Sequence, residues 1–470
     1  MLAPMSDHET KISHRLIYLY PLFISLFFLI AAPIAVWYTK EWDFFDNLLR
    51  ILTSPSKLVT DYFALGGLGS TLFNAAVCGL FANLIVYISR AKPNATILAG
   101  YMLIVAHCFY GLNFLNMWPP FFGILLYCFV MKKKVSENIH IAFFSTALAP
   151  FVSELFFRYA IGKYDASVVS VNWVGVILAL ICGLAIGFVI PALLPGTTAM
   201  HRGYNLYKAG LAIGILGIFI NAFMYSSLGV EEPGNLEIVN ETYYALPYGY
   251  RSFINVFFIV LFSLTFIVGF ILNKKSIRGY RELLHCTGYG VDFTDKFGMP
   301  VCMINIAIYG FAILAYLNLI FILPSIWSEL PSGVGFTGAT VGIVFAALTF
   351  AADGQHIKNV FPIALGYIAL FAIVIVICKI ANFDIPWTLS TQAYINGLAF
   401  ATGLCPFAGK YGFKYGVLAG LMSAIICTVT ARMHGGFVLY NGGFNAGLTA
   451  LVLIPILDFY HIKPIREDDM

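Results

Sequence analysis

Long apolar runs, each almost free of charged residues, follow one another along most of the chain and restrict its fold more than any other feature. Of the 470 residues, 60% are hydrophobic and 11% are charged, whereas about 25% of the residues of a soluble protein are charged. So few charged side chains cannot cover a soluble globule of this size. The composition excludes a water-soluble enzyme, a nucleic-acid-binding protein and a disordered chain, and it predicts an all-α, polytopic transmembrane protein.

Fourteen runs have the character of membrane elements, seven in each half of the chain. They are predicted near 15–38, 66–89, 95–113, 117–131, 139–157, 170–194, 205–225, 252–273, 299–322, 334–352, 359–380, 388–409, 413–431 and 443–460. The amphipathic stretch 43–63 is expected to lie at the membrane interface or to fold back. The predicted organisation is a first repeat over 1–230, an acidic loop over 231–250 and a second repeat over 251–470.

The distribution of lysine and arginine predicts the orientation, because these residues are retained on the cytoplasmic side of a membrane. With the N-terminus inside, the basic clusters 132–134 and 274–281 both fall on the inner side. The sequence therefore predicts a multi-pass protein of the cell membrane with both termini in the cytoplasm.

The chain also contains an internal duplication. Asn74-Ala-Ala-Val-Cys-Gly79 recurs as Asn305-Ile-Ala-Ile-Tyr-Gly310. With identical spacing, Gly111, Asn116, Pro119 and Gly123 recur as Gly354, Asn359, Pro362 and Gly366. Thr146 to Phe151 recurs as Thr402 to Phe407, His201 to Gly210 recurs as His434 to Gly443, and Asp61 is matched with Asp295. Because all matches occur in the same order, we interpret the two halves as copies.

An odd number of spans turns the second copy upside down in the bilayer. Seven elements per half predict inverted repeats, related by a pseudo-two-fold axis in the membrane plane. The alternative is that elements 139–157 and 388–409 are re-entrant hairpins, which leaves six spans per half and parallel repeats. The inverted arrangement places both basic clusters inside, so the charge distribution favours it.

Three motifs carry a family resemblance: the stretch Ser54 to Phe63, the glycine-rich run that follows it as far as Asn74, and the segment His434 to Gly447. They resemble a bacterial membrane protein family known only as a domain of unknown function. The resemblance covers most of the chain and implies a duplicated polytopic protein. It brings no activity, substrate or cofactor.

Charged residues inside apolar elements are the first candidates for a binding site. Glu154 and Lys410 each follow a helix-breaking proline, Pro150 or Pro406, by four residues. A charge in the bilayer centre is costly and normally lines a cavity or is paired, and a broken helix frees backbone groups for a solute. Alternatively, both charged side chains extend from helix ends to the lipid headgroups. Ser145, Thr146 and Thr402 would share this site or bond the preceding turn of their own helix.

Asparagine and histidine motifs supply the remaining candidates. Asn116 and Asn359 suit a neutral polar solute, or cap a helix. Asn74 and Asn305 lie in apolar runs and must bond another helix or the permeant. The segments that begin at His201 and His434 contain Tyr207, Tyr440 and Asn441, and either histidine could carry protons or be a structural hydrogen-bonding residue. Asp61 and Asp295 are interpreted as helix caps or cation ligands.

These patterns predict a transporter rather than an enzyme. We expect secondary-active transport of a small polar or charged solute through a midplane site between the repeats, coupled to Na⁺ or H⁺. No metal site, cofactor or nucleic-acid partner is predicted, and oligomerisation is left open. The alternatives are a passive channel, a structural subunit, and a membrane-embedded enzyme acting on a lipid or polyprenyl substrate. A central polar cavity favours transport, and a cleft open to lipid on one face favours an enzyme.

Overall fold

The chain folds into helices. We describe a computed structural model over residues 7–58, 60–159, 171–232, 234 and 250–465, in which every regular element is helical. The first half contains α1 Asp7–Thr39, α2 Phe44–Thr53, α3 Tyr62–Ser89, α4 Ala95–His107, α5 Trp118–Val130, α6 Val135–Ser145, α7 Ala149–Phe157, α8 Trp173–His201 and α9 Lys208–Asn221. The second half contains α10 Arg251–Leu272, α11 Arg278–Leu283, α12 Phe293–Lys296, α13 Met299–Ile326, α14 Gly338–Ala347, α15 Ile357–Ala381, α16 Gln392–Ala401, α17 Cys405–Tyr411, α18 Phe413–Met433 and α19 Asn441–Phe459.

Ten helices in the described part of the chain are long and apolar enough to cross a membrane. Their outward surfaces carry many exposed large apolar side chains, which is the surface expected of helices solvated by lipid. The prediction of an all-α polytopic membrane protein is confirmed. The orientation of the termini stays a prediction, and most of the acidic loop 231–250 lies outside the described residues.

Both elements for which re-entry was considered are divided by a 3₁₀ turn. Residues 135–157 form a 23-residue candidate span with this turn at Thr146–Leu148, whereas α16 and α17 have 10 and 7 residues on either side of the turn at Thr402–Leu404. Elsewhere, α4 and α5 have 13 residues each and α14 has 10. Helices of this length extend about 15–20 Å, less than the hydrocarbon thickness of about 30 Å. The predicted elements 95–113, 117–131 and 334–352 therefore contain helices shorter than a full span, because the chain turns inside the protein at residues 108–117 and 348–356. Their place in a bilayer stays a prediction.

The two halves repeat the same hydrogen bonds. The Asn74 amide donates to the Cys108 and Leu112 carbonyls, both at 3.0 Å. The Asn305 amide donates to the corresponding carbonyls of Ala351 and Gln355, at 2.7 and 2.8 Å. The duplication seen in the sequence is thus also a duplication of structure, and in each copy an asparagine holds the turn after a short helix.

Equivalent helices of the two halves contact each other antiparallel. Between α4 and α14, contacts run in opposite directions along the chain. A Cβ atom added at Gly338 would lie close to the Phe109 carbonyl oxygen, and one added at Gly342, later in α14, would lie close to the earlier carbonyl oxygen of Ala106. Along α1 and α10, Tyr20 contacts Thr265, whereas Phe27, farther along α1, contacts Phe257, which comes earlier in α10. Opposed directions are what a two-fold axis perpendicular to the helices produces. This geometry agrees with inverted repeats, although the direction in which each half crosses a bilayer stays a prediction.

Two aspartates join the halves. Asp61 accepts from the Phe63 amide at the start of its own helix and from the Gly338 amide at the start of α14. Asp292 likewise accepts from the Thr294 amide and from the Ala95 amide at the start of α4. The capping interpretation is confirmed for Asp61. The counterpart of Asp61 is Asp292, however, and the match with Asp295 is wrong by three positions because the local sequence similarity misplaced the register.

Candidate functional site

The centre of the molecule is a crossing of α9 and α19. Gly210 and Gly443 occupy equivalent positions and touch, since a Cβ atom on Gly210 would lie 2.4 Å from the carbonyl carbon of Gly443. The segments leading into the two helices are bonded reciprocally. The Leu206 amide donates to the Gly403 carbonyl and the Leu439 amide to the Ala147 carbonyl, both at 2.9 Å. Each half therefore positions the helix start of the other.

These bonds also use the broken helices that the prolines predict. Pro150 and Pro406 lie in the first turns of α7 and α17, immediately after 3₁₀ turns that contain Ala147 and Gly403. The break is confirmed. The Ala147 and Gly403 carbonyls accept from backbone amides of the opposite half. The break in each helix therefore holds the contact between the halves, and these two oxygens are not presented to a solute.

A cavity of about 40 Å³ lies beside the crossing and is walled by both halves. Its lining comprises Thr96, Leu103, Phe144, Leu206, Tyr207, Lys208, Ala209, Gly210, Phe350, Asp353 and Tyr440. Of the predicted site residues, Tyr207 and Tyr440 are brought together here. The Tyr207 hydroxyl donates to the Ala346 carbonyl at 2.5 Å. A space of this size holds an ion or one or two water molecules.

Two opposite charges line the cavity. Lys208 is the first residue of α9 and is exposed, and Asp353 lies in the turn between α14 and α15, outside the spanning helices. Within the described ranges, neither side chain forms a hydrogen bond or ion pair. Burial, together with the carboxylates of Asp292 and Asp295, raises the pKa of Asp353 to about 7 against the opposing effect of Lys208. Asp353 is therefore placed to exchange a proton near neutral pH.

The second copy of this region is closed. Lys208 corresponds to Asn441, which is 8% exposed and accepts a 2.9 Å hydrogen bond from His434 Nε2. Asp353 corresponds to Tyr110, which is fully buried. Next to Asn441, Gly442 packs tightly on Phe400. A Cβ atom added at Gly442 would lie 2.4 Å from the Cβ atom of Phe400. The charged, accessible cavity thus belongs to one copy of a duplicated feature.

Neither Asp353 nor Lys208 was among the candidate site residues of the sequence. The sequence signal that could have found them is a difference between the two copies. Both residues lie near duplicated glycines, at positions where one copy is charged and the other is not.

Glu154 and Lys410 do not meet. Arg158 pairs with Glu154 through three hydrogen bonds of 2.9–3.2 Å, and both side chains are buried. The Lys410 ammonium lies 4.2 Å from the centre of the Tyr289 ring and 5.9 Å from that of Tyr204, a cation–π arrangement. The contacts described for the two residues share no partner, so the structure gives no common acid–base site.

The asparagines before the prolines and the hydroxyl side chains adopt their structural alternatives, whereas His201 does not. Asn116 and Asn359 each bond the backbone of the preceding turn, through Gly111 and Asn113 or through Gly354 and His356. Thr146, Thr402 and Ser145 donate to carbonyls one turn earlier in their helices. His201 is fully buried, and its ring nitrogens have no hydrogen-bond partner among the described residues.

Removal of the Asn305 amide tests how firmly the turn that carries Asp353 is held. Asn305→Ala is expected to lower the free energy of unfolding by about 2–4 kcal/mol, because two buried carbonyls lose their donor. Chemical denaturation in detergent measures the change. The control is Asn138→Ala, which removes an exposed hydrogen bond and is expected to change stability by less than about 1 kcal/mol. Equal effects would contradict the assigned role of Asn305.

Fold and junction together define a polytopic helical membrane protein built from two copies of one structural unit. The chain belongs to the family described as protein of unknown function DUF1576, whose model matches residues 40–226 and 272–459, one region in each half. The resemblance to an uncharacterised family is confirmed. Neither a curated protein nor a solved structure matches the chain.

Proposed function

We propose that the protein is a secondary-active transporter that moves a small polar solute through the cavity between its halves, coupled to a proton carried by Asp353. One observation supports this function above all: two opposite charges without ion-pair partners line a cavity at the contact of two duplicated units. A buried structural pair would instead be mutually bonded, as Glu154 and Arg158 are.

The two charges suggest the class of solute. The Lys208 ammonium offers three donors to an anionic group, and Asp353 accepts either a proton or the ammonium group of a zwitterion. Protonation of Asp353 near neutral pH changes the net charge of the site by one, which is the step that couples a proton to a solute. We therefore propose a small anionic or zwitterionic solute, and H⁺ in preference to Na⁺.

Duplication supplies the means of alternating access. In the described conformation, the cavity beside Lys208 is exposed, whereas the equivalent region beside Asn441 is closed. If the halves exchange their conformations, the Asn441 copy opens and the Lys208 copy closes, as in transporters built from inverted repeats. The cavity of about 40 Å³ is too small for most metabolites, so solute binding requires the halves to separate further at the exposed copy.

The enzyme alternative receives less support. A larger cleft of about 360 Å³ opens between α13 and α15, but its lining includes no carboxylate, histidine, lysine or cysteine. General acid–base or nucleophilic chemistry needs such groups within hydrogen-bond reach of the substrate. A further cavity of about 250 Å³ is lined by Cys286, His356 and Lys358 among others. Both ring nitrogens of His356 are already hydrogen-bonded there, Nε2 to the Cys286 carbonyl and Nδ1 to the Asn359 amide.

Binding and uptake test the proposal. Thermal-shift screening of the purified protein against small anionic and zwitterionic metabolites identifies solutes that stabilise it by mass action. In proteoliposomes, such a solute is expected to accumulate under an inward proton gradient and to lose accumulation in Lys208→Ala. Lys414→Ala, which alters an exposed lysine, serves as the control and is expected to retain uptake. Equilibration without accumulation would indicate a channel, and full activity of Lys208→Ala would contradict this site.

A further inference from the structure

The Tyr440 hydroxyl is an unsatisfied polar group in the wall of the central cavity. Tyr440 is 1% exposed, and within the described ranges its hydroxyl has no hydrogen-bond partner. The equivalent hydroxyl of Tyr207 donates to the Ala346 carbonyl at 2.5 Å, whereas Tyr440 does not bond the corresponding carbonyl of Leu103. Native proteins nearly always satisfy a buried hydroxyl, because an unpaired one is costly. A group bound in the cavity would supply the missing partner.

Other groups of the lining favour a negative charge. Lys208, Ala209 and Gly210, the first turn of the 14-residue helix α9, line the cavity. The positive end of a helix dipole attracts anions, and the Lys208 ammonium adds a full charge and three donors. The amides of Lys208 and Gly210 already bond the Leu206 and Tyr207 carbonyls, so side chains must supply the direct bonds to an anion. An ammonium and a tyrosine hydroxyl from different segments suit the two oxygens of a carboxylate.

Asp353 supplies the only carboxyl group among the described residues of the lining. Two neighbouring carboxylates repel each other, so a bound carboxylate favours the protonated form of Asp353, which can donate a hydrogen bond. The effect is reciprocal, because a proton on Asp353 then strengthens carboxylate binding by the same factor. The other titratable groups around Asp353 are Asp292, Asp295, Lys208, Cys302, Cys405, Tyr207 and Tyr440, and His140 and His201 lie near Lys208.

We propose that the central cavity binds the carboxylate group of a small organic acid between Lys208 and Tyr440, together with a proton on Asp353. The rest of the solute extends toward the exposed side of the cavity beside Lys208. The inference rests on the proposed transport function and narrows its solute to a carboxylate without an ammonium group. A zwitterion fits less well, because protonated Asp353 offers no negative charge to an ammonium group.

Three probes of similar size test this site in the purified protein: propionate, its neutral amide propionamide, and the zwitterion β-alanine. Their affinities follow from thermal shifts measured at equal ionic strength. Propionamide and β-alanine are expected to bind about 10-fold or more weakly than propionate, because they lack a net charge. Propionate affinity is expected to fall roughly 10-fold from about pH 6 to about pH 8, since the pKa of Asp353 is about 7 and its protonated fraction falls by that factor.

Conservative variants separate the roles of the side chains. Tyr440→Phe is expected to weaken propionate binding roughly 10- to 100-fold, the effect of losing one hydrogen bond to a charged group. Asp353→Asn keeps a neutral donor and is expected to bind propionate equally well at both pH values. Tyr159→Phe is the control, because it removes a buried hydroxyl that donates to the Met224 carbonyl outside the cavity, and it is expected to leave the affinity unchanged.

The proposal is overturned if propionate binds no better than propionamide, if its affinity in the wild type is independent of pH, or if Tyr440→Phe binds it normally. The partner of Tyr440 would then be water. Failure of the transport function looks different: a carboxylate would bind in a manner that requires Tyr440, yet would not accumulate in proteoliposomes. Accumulation of a zwitterion by a protein that does not bind propionate would contradict the carboxylate site alone.

Discussion

Glu154→Ala is expected to lower the free energy of unfolding by about 3–5 kcal/mol, the cost of breaking a buried ion pair by removing one partner. The Glu154 carboxylate accepts three hydrogen bonds from Arg158, at 2.9, 3.0 and 3.2 Å, and the side chains are 0% and 2% exposed. The substitution leaves the guanidinium buried without these acceptors. The midpoint of chemical denaturation in detergent, followed by tryptophan fluorescence, measures the loss.

Glu137→Ala is the matched control, because Glu137 pairs with Lys134 at 3.4 Å on the exposed surface. That change is expected to cost less than about 1 kcal/mol. Replacing both buried partners, in Glu154→Leu with Arg158→Met, is expected to recover most of the stability, since no buried charge is left over. If Glu154→Ala proves as stable as Glu137→Ala, Glu154 and Arg158 are not a structural pair. Glu154 then becomes a candidate for solute binding again.

Asp353→Asn is expected to stabilise the protein at alkaline pH while abolishing proton-coupled uptake. The folded structure raises the pKa of Asp353 from 3.8 to about 7, chiefly by burial. A group with a raised pKa binds its proton more tightly in the folded state, so stability is greatest below about pH 4 and falls as the pH rises to about 7. At about pH 8 the wild type bears the full cost of keeping this half-buried carboxylate ionised, roughly 2–4 kcal/mol, and the asparagine variant does not.

Melting curves between about pH 4 and about pH 8 measure this difference. The expected result is a growing advantage of Asp353→Asn as the pH rises and near equality at the acidic end. Asp384→Asn, at an exposed position, is expected to follow the wild-type profile. Parallel profiles for wild type and Asp353→Asn would show that Asp353 does not titrate in this range, and the proton-coupling role would be lost with it. Uptake that persists in the variant would contradict that role separately.

The sequence was sufficient to predict the architecture because the bilayer imposes simple rules. Apolar length and composition determine which segments are helices, and a duplication leaves collinear motifs. The motifs around Asn74, Asn116 and Pro150 proved to be structural, since each holds a turn or a helix break that recurs in both halves. What recurs in both copies is what the common fold requires.

The site was harder to predict, because it depends on contacts between distant segments. Glu154 and Lys410 stood out as charges in apolar runs, yet Arg158 lies one turn from Glu154 and supplies its partner within the same segment. Asp353 gave no comparable signal, because its neighbours in space, Lys208 and Asp292, are far from it in the chain. The shortness of helices α4 and α14 was also not predicted, since apolar composition does not distinguish one long helix from a chain that turns inside the protein.

The most direct test of the central claim concerns equivalent loops of the two halves. Lys92 lies between α3 and α4, Ser332 lies between α13 and α14, and both are exposed. Single cysteines at these positions can be labelled with a membrane-impermeant maleimide, because among the native cysteines Cys182 alone is partly exposed and is replaced by alanine. Inverted repeats predict labelling of the two positions from opposite sides of the membrane, with the Ser332 position accessible in intact cells. Labelling of both from the same side would contradict the account.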